Sequence, residues 1–249
     1  AVLRLVEAEV RAAEAAAAEV ETLVESIRPG PAGGEAELAE RAGAGGPGFL
    51  AASAVIPHPA KVHKGGEDAH FICHDSLVLG LADGVGGWNA DGVDPAQYSR
   101  ELVAQARFLS GEFAKQGRGL ADPQAVLEGA HMLTEAPGSS TACILALRRE
   151  GCLLASNLGD SGFRVLRGGQ VVYASPTLEH YFNCPYQLAW VQFVPDTDLP
   201  SDALRLRVDV QPGDVIVLGS DGLFDNLFDE EIASCANNVM QGNGGGPRG

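Results

Sequence analysis

Three apolar runs in the chain each end in an aspartate beside a glycine: Leu77 to Asp83-Gly84, Leu153 to Asp160-Ser161-Gly162, and Val215 to Asp221-Gly222. Side chains alternate along a strand, so Leu77, Leu79, Leu81 and Asp83 share one face. The same holds for Leu154, Ser156, Leu158 and Asp160, and for Val215, Val217, Gly219 and Asp221. Each core-facing row is therefore expected to finish in a carboxylate. One Asp-Gly pair alone is the ordinary signal of a hairpin turn. Each of these acids, however, follows a largely uncharged run, where an ionised group is costly unless a cation or hydrogen bonds compensate it. The adjoining glycine leaves room for backbone to approach an ion. The pattern predicts several carboxylates gathered at one end of a sheet.

Composition narrows the classes of function. The chain has 249 residues, 45% of them hydrophobic, enough for a full core in one domain with an appendage. Its 33 acids against 17 bases give a formal charge of -16, which argues against a general nucleic-acid or anionic-membrane surface. Cys73, Cys143, Cys152, Cys184 and Cys235 are scattered without CxxC spacing, so neither a disulfide framework nor a cysteine zinc site is indicated, and a reducing compartment fits. No apolar stretch approaches the ~20 residues that span a bilayer. The glutamates at 7, 9, 14, 19, 21 and 25 are unlike a basic transit peptide or a secretory signal, while the absence of an initial methionine is compatible with a removed targeting segment.

Residues 1–28 are expected to form a helix. Val6, Val10, Ala13, Ala17, Val20, Val24 and Ile27 give a short heptad seam, suited to a coiled coil or to docking on a protein partner. Residues 29–48, rich in glycine and proline, read as a linker, and 236–249 as a flexible glycine-rich tail. Between them, 49–235 has the texture of a folded domain. Strands are predicted over Ala52 to Ile56, Ala69 to Cys73, Leu77 to Ala82, Thr141 to Leu147, Leu153 to Leu158, Phe163 to Arg167, Gln170 to Ala174, Leu204 to Val208 and Val215 to Ser220. Two helices open at Asp94-Pro95 and Asp122-Pro123, each a capping acid followed by proline. Consecutive strands with helices grouped between them indicate an antiparallel α+β architecture.

Glu67-Asp68 directly precedes the strand that leads to the first aspartate-ended run. With Asp83, Asp160 and Asp221 it completes an all-oxygen donor set, which selects magnesium or manganese over zinc. Two such ions about 3.5 to 4 Å apart can activate a water and clamp a phosphoryl group during in-line attack.

Gly66-Glu67-Asp68, Ala82-Asp83-Gly84-Val85-Gly86-Gly87-Trp88, Gly138-Ser139-Ser140-Thr141-Ala142, Asn157-Leu158-Gly159-Asp160-Ser161-Gly162 and Ser220-Asp221-Gly222-Leu223-Phe224-Asp225-Asn226 occur in this order. The set, over residues 49 to 235, resembles the metal-dependent type 2C (PPM) serine/threonine protein phosphatases. Gly92-Val93-Asp94-Pro95 and His180-Tyr181-Phe182-Asn183 are similar to the branch associated with mitochondria and plastids. The resemblance implies a β-sandwich of two antiparallel sheets flanked by helices, phosphorylated protein substrates, and two Mg2+ or Mn2+ ions. By the same resemblance Asp83 bridges the ions, Glu67 and the Gly84 carbonyl serve one, Asp221 serves the other, Asp68 supports the site, and Asp160 binds a weaker third ion. The nucleophile is then water, and no covalent intermediate with a side chain is needed.

Two departures stand out. Many members carry a histidine two places after the bridging aspartate, where this chain has Val85; His180 or His70 is the substitute candidate for a general acid. The family also closes with a metal-binding aspartate in an Asp-Asn/Asp-Ile-Thr segment, whereas here Cys235 leads into a glycine-rich end, so the expectation is a fold incomplete at its C-terminus and short of one ligand. The alternative is a catalytically impaired phosphatase-like binding module. Lys64 is a candidate for substrate phosphate, and Trp88 and Trp190 could frame a groove or pack at an edge. His70 and His74, four residues apart on a strand, lie roughly 13 Å apart and are not expected to share a zinc ion. Gly159-Asp160-Ser161-Gly162 also matches a serine-protease nucleophile segment, but no partner base with the matching context accompanies it.

Overall fold

The computed structural model describes residues 48–115 and 121–240. The expected helix at 2–27, with its proposed docking role, and the linker over 29–47 lie outside the described residues. The first sheet is antiparallel in the order β1 (Asp68–Cys73), β2 (Val78–Asp83), β4 (Ala142–Arg148), β5 (Cys152–Leu158), β11 (Leu204–Asp209). The second is β12 (Val215–Gly219), β6 (Gly162–Arg167), β7 (Gln170–Ala174). Short strands make two further ladders, β3 (Ser139–Ser140) with β10 (Leu188–Ala189) and β8 (Glu179–Tyr181) with β9 (Cys184–Pro185). The α+β sandwich flanked by helices is thus present.

Alternation divides the apolar residues between two faces of the first sheet. Cys143, Leu145, Leu147, Leu153 and Ala155 point inward and meet Phe163, Val165, Ile216 and Leu218 of the second sheet. The other face, with Phe71, Val78, Ala82, Ile144, Ala146 and Leu158, is covered by helices α1 (Ala96–Lys115) and α2 (Pro123–Leu133). Both begin where the sequence places them. The Asp94 carboxylate accepts from the Ala96 backbone N–H at 3.3 Å, and Asp122 from that of Gln124 at 3.3 Å. Gln124 then ties α2 to β5, because its side-chain oxygen accepts from Ser156 Oγ at 2.8 Å while its amide donates to the Pro200 carbonyl at 2.8 Å. Outside the second sheet lies α4 (Asp229–Met240), whose Ile232 and Ala233 pack with Leu166, Val215 and Val217.

Three expectations need correction. The aspartate-ended rows do not belong to one sheet, because β2 and β5 lie in the first and β12 in the second. Leu79 lies on the inter-sheet side, Leu158 under the helices, and Val215 and Val217 against α4. The rows therefore look into three layers, and turns after the strands bring their acids together. Ala52 to Ile56 is not a strand: residues 48–58 have no ladder partner among the described residues, and Val55 and Ile56 remain exposed. Finally, the helix α4 runs five residues past 235, because Ala236 packs into the outer cluster and Asn237 Nδ2 donates to the Gly169 carbonyl at 3.1 Å.

Phe163 is fully buried between the sheets. Phe163→Ala should cost about 3–5 kcal/mol through lost contact and the cavity left behind. Urea unfolding should show a lower midpoint at an unchanged slope; a loss under 1 kcal/mol would mean that the two sheets are not held by this core.

Candidate metal centre

The site is built on the β1–β2 ladder. Asp68 and Asp83 are directly opposed in register, and both side chains project from the face away from α1. Asp83 closes β2, and the next residue must be glycine for a steric reason. A Cβ on Gly84 would lie 2.7 Å from the Pro95 carbonyl oxygen and 2.8 Å from that of Glu67, backbone atoms on both sides. The Gly84 N–H donates to the Glu67 carbonyl at 3.2 Å, so Glu67, Asp83 and Gly84 share one corner of the sheet. The beginning of α1 fastens the same corner, where buried Ser99 Oγ donates to the Glu67 carbonyl at 2.6 Å.

Asp221 arrives from the second sheet. It follows Ser220 at the first position of the one-turn helix α3 (Asp221–Phe224), and Ser220 Oγ donates to Asp68 Oδ2 at 3.1 Å. Asp68, Asp83 and Asp221 consequently come together. Burial, then the charge of Asp68, then that of Asp221 push the Asp83 carboxyl up to about 10. Asp160 stands beside this group. Burial first, then Asp221, with Glu179 and Asp225 adding to it, raises its carboxyl to about 6. Its turn is fixed by Gly159, which adopts φ +103° with the Thr141 side chain and Tyr186 carbonyl too close for a Cβ. Thr141 Oγ1 links the two halves, hydrogen-bonded to Ser161 Oγ at 2.8 Å and accepting from the Asp83 N–H at 3.3 Å.

Glu67 is buried at the other side of the corner, and its oxygens are divided between two donors. Asn89 Nδ2 reaches Oε1 at 2.8 Å, and the Lys61 ammonium is ion-paired to Oε2. Among the described residues no three histidine, cysteine or carboxylate side chains are arranged to hold one ion by themselves. The arrangement instead offers carboxylates in pairs, Asp68 and Asp221 each acting on Asp83.

Other sequence candidates fall elsewhere. His180 is stacked on Tyr186 with ring centres 3.9 Å apart, and its Nε2 lies 2.9 and 3.1 Å from the Asp198 oxygens; it is its neighbour Glu179 whose charge reaches Asp160 and Asp225. Lys64 Nζ donates to Asn89 Oδ1 at 3.2 Å, one residue removed from Glu67. His70 pairs with Ser53 and His74 stacks with Phe49, so the two do not converge. Trp88 Nε1 donates to Ser139 Oγ at 2.7 Å near the Gly84 corner, whereas Trp190 packs on the helix-side core. Cys143 is a buried core thiol between the sheets. Sequence reasoning missed Lys61, Asn89 and Asp225. Only Asp225 carries a local signal, four residues after Asp221 on a helical turn.

No protein-family model matches the chain. The probable protein phosphatase 2C 55 of Arabidopsis thaliana is 47% identical over 195 residues, 78% of this chain and 40% of that protein. The human protein phosphatase PTC7 homolog is 44% identical over 180 residues, 67% of this chain and 58% of that one. The chain thus spans about half the length of the curated relatives it matches. Among solved structures, the photosystem II phosphatase PBCP aligns with a TM-score of 0.66 at 41% identity, covering 75% of each chain. That degree of identity over three quarters of a solved relative, on a sandwich whose rim carries the acid motifs in order, makes the chain a member of the type 2C (PPM) protein phosphatase family.

Proposed function

We propose that the protein hydrolyses phosphoserine and phosphothreonine in protein substrates at a dinuclear Mg2+ or Mn2+ site. The observation that carries this reading is the crowding of Asp83 by Asp68 and Asp221, with no lysine or arginine seen to pair with any of the three among the described residues. Such a cluster fits a hard divalent cation, because oxygen donors and concentrated negative charge are what these ions select. Two cations held there supply an activated water and charge stabilisation for the phosphoryl oxygens.

The chain's own residues divide the work. Asp83, on which both Asp68 and Asp221 act, would be the carboxylate common to the two ions. Glu67, whose Oε2 is ion-paired to Lys61 in the structure, and the Gly84 carbonyl would hold one ion, Asp221 would hold the other, and Ser220 orients Asp68 through its hydroxyl. Asn89 fixes the rotation of the Glu67 carboxylate. Asp160, with Asp225 and Glu179 nearby, would supply donors for a weaker third ion. Pairs of carboxylates suit magnesium and manganese, which keep several waters in their coordination shells. A mitochondrial or plastid location is proposed on the family branch alone.

Phosphate release from a phosphothreonine peptide should require Mn2+ or Mg2+, stop with EDTA, and fall at least a hundredfold in Asp83→Asn. Binding of manganese without turnover, shown by a thermal shift, would favour the phosphatase-like binding module; turnover in EDTA would refute the metal reading.

A second expectation concerns pH. A carboxyl raised in the folded state stabilises while protonated, so Asp83's contribution is complete below about pH 4, its unfolded value, and is lost as pH rises toward 10. In EDTA the melting temperature should fall between pH 7 and 9.5, more steeply in the wild type than in Asp83→Asn. Manganese should flatten the wild-type slope by taking the proton's place. Equal slopes for both proteins in EDTA would show that Asp83 is not held against like charge.

A further inference from the structure

The first sheet leaves one edge of β1 without a ladder partner among the described residues. Because the Gly84 N–H bonds to the Glu67 carbonyl, antiparallel alternation turns Ala69, Phe71 and Cys73 toward β2 and Asp68, His70 and Ile72 outward. The outward backbone groups of His70 and Ile72 border a groove of about 780 Å³, and α1 forms its opposite wall. Along that wall Arg100, Ala104, Arg107, Gly111 and Lys115 succeed one another at helical spacing, so cations alternate with small residues. The small residues leave the groove open. The cations give it a sign opposite to that of the chain, whose net charge is -16.

Two acids, Asp75 and Glu112, also border the groove, and Glu112 is engaged by Lys115 at 2.9 Å. Arg100 is anchored at the end nearest the metal centre, where its Nη2 donates to the Lys64 and Gly66 carbonyls at 2.9 and 3.2 Å. Arg107 is exposed at mid-groove. The segment before residue 58 touches His70 and His74 through Ser53 and Phe49 but does not line the groove. The lengths agree. Six residues of β1 extend about 20 Å, and α1 from Arg100 to Lys115 rises about 22 Å.

We propose that this groove captures an extended acidic segment of a partner protein, which adds to β1 as a sixth strand and sets alternate acidic side chains against Arg100, Arg107 and Lys115. Backbone bonds to the edge give affinity, and the cationic stripe selects for acidic side chains on the strand face turned toward α1. The site is separate from the carboxylate cluster, so it stands whether or not the proposed hydrolysis does.

The test is fluorescence anisotropy with a labelled octapeptide alternating glutamate and threonine, on the full chain and on Asp83→Asn, which should bind it equally. Ile72→Pro removes an outward N–H that an edge strand can spare, and Arg107→Glu reverses the central charge. Each should weaken binding at least tenfold with the wild-type melting temperature kept. A glutamate–proline octapeptide, equally charged but unable to form a ladder, should fail, as should a lysine–threonine one. If Ile72→Pro does not fold, Arg107→Glu and the proline peptide still decide. Equal binding of the proline peptide, or indifference to Arg107→Glu, would overturn the proposal. So would self-association of the chain that Ile72→Pro abolishes, since the edge would then belong to a second copy.

Discussion

Two carboxyl groups face each other across a β-ladder at Asp68 and Asp83, a pairing whose like charges weaken a sheet unless a proton or a cation neutralises one of them. The rest of the molecule is arranged around that opposition. The second sheet adds a third acid, Asp221, and the bonds that would let the strands spread apart are instead doubled. Ser220 reaches from the second sheet to Asp68, and Thr141 holds the Asp83 backbone from β4's leading edge. The inter-sheet core, with Phe163 and Leu145 fully buried, supplies the cohesion against which this repulsion acts. A fold that needed only stability would not keep three carboxylates there.

Backbone closeness is the second requirement. Gly84 is pressed between the carbonyls of Pro95 and Glu67, and Gly159 takes a positive φ against Thr141. At both places the chain turns within a space that any side chain would fill. The start of α1 belongs to the same construction, since Ser99 and Pro95 meet the Glu67–Gly84 corner directly. The helix therefore connects the carboxylate corner at its N-terminal end with the cationic groove along its length.

Much of this was legible in the sequence. Capping aspartates marked both large helices, Gly168-Gly169 marked the β6–β7 hairpin, and Gln170–Ala174 is a strand with the expected limits. Two of the three acids that converge, Asp83 and Asp221, end apolar runs, and the third, Asp68, opens β1. What the sequence could not supply is which layer each run faces. The period of two fixes that alternate residues share a side, not which side meets the helices, so it left open that the Leu158 row packs under the helices and the Val217 row against α4. Ala52 to Ile56 has strand composition, but composition does not provide the hydrogen-bonding partner a strand needs. Lys61 and Asn89 were missed for a similar reason. They reach Glu67 from two separate 3-10 turns, Pro59–Lys64 and Gly86–Asp91, and nothing in their spacing announces a shared carboxylate.

The repulsion at the sheet corner and the cation that would relieve it make one claim about where charge is balanced. Anomalous diffraction from crystals grown with manganese reads that directly. Peaks are expected between Asp83 and Asp221 and between Asp83 and Glu67, beside the Gly84 carbonyl. Well-ordered crystals with manganese bound only at other surface acids, and none at Asp83, would contradict a metal centre at this corner.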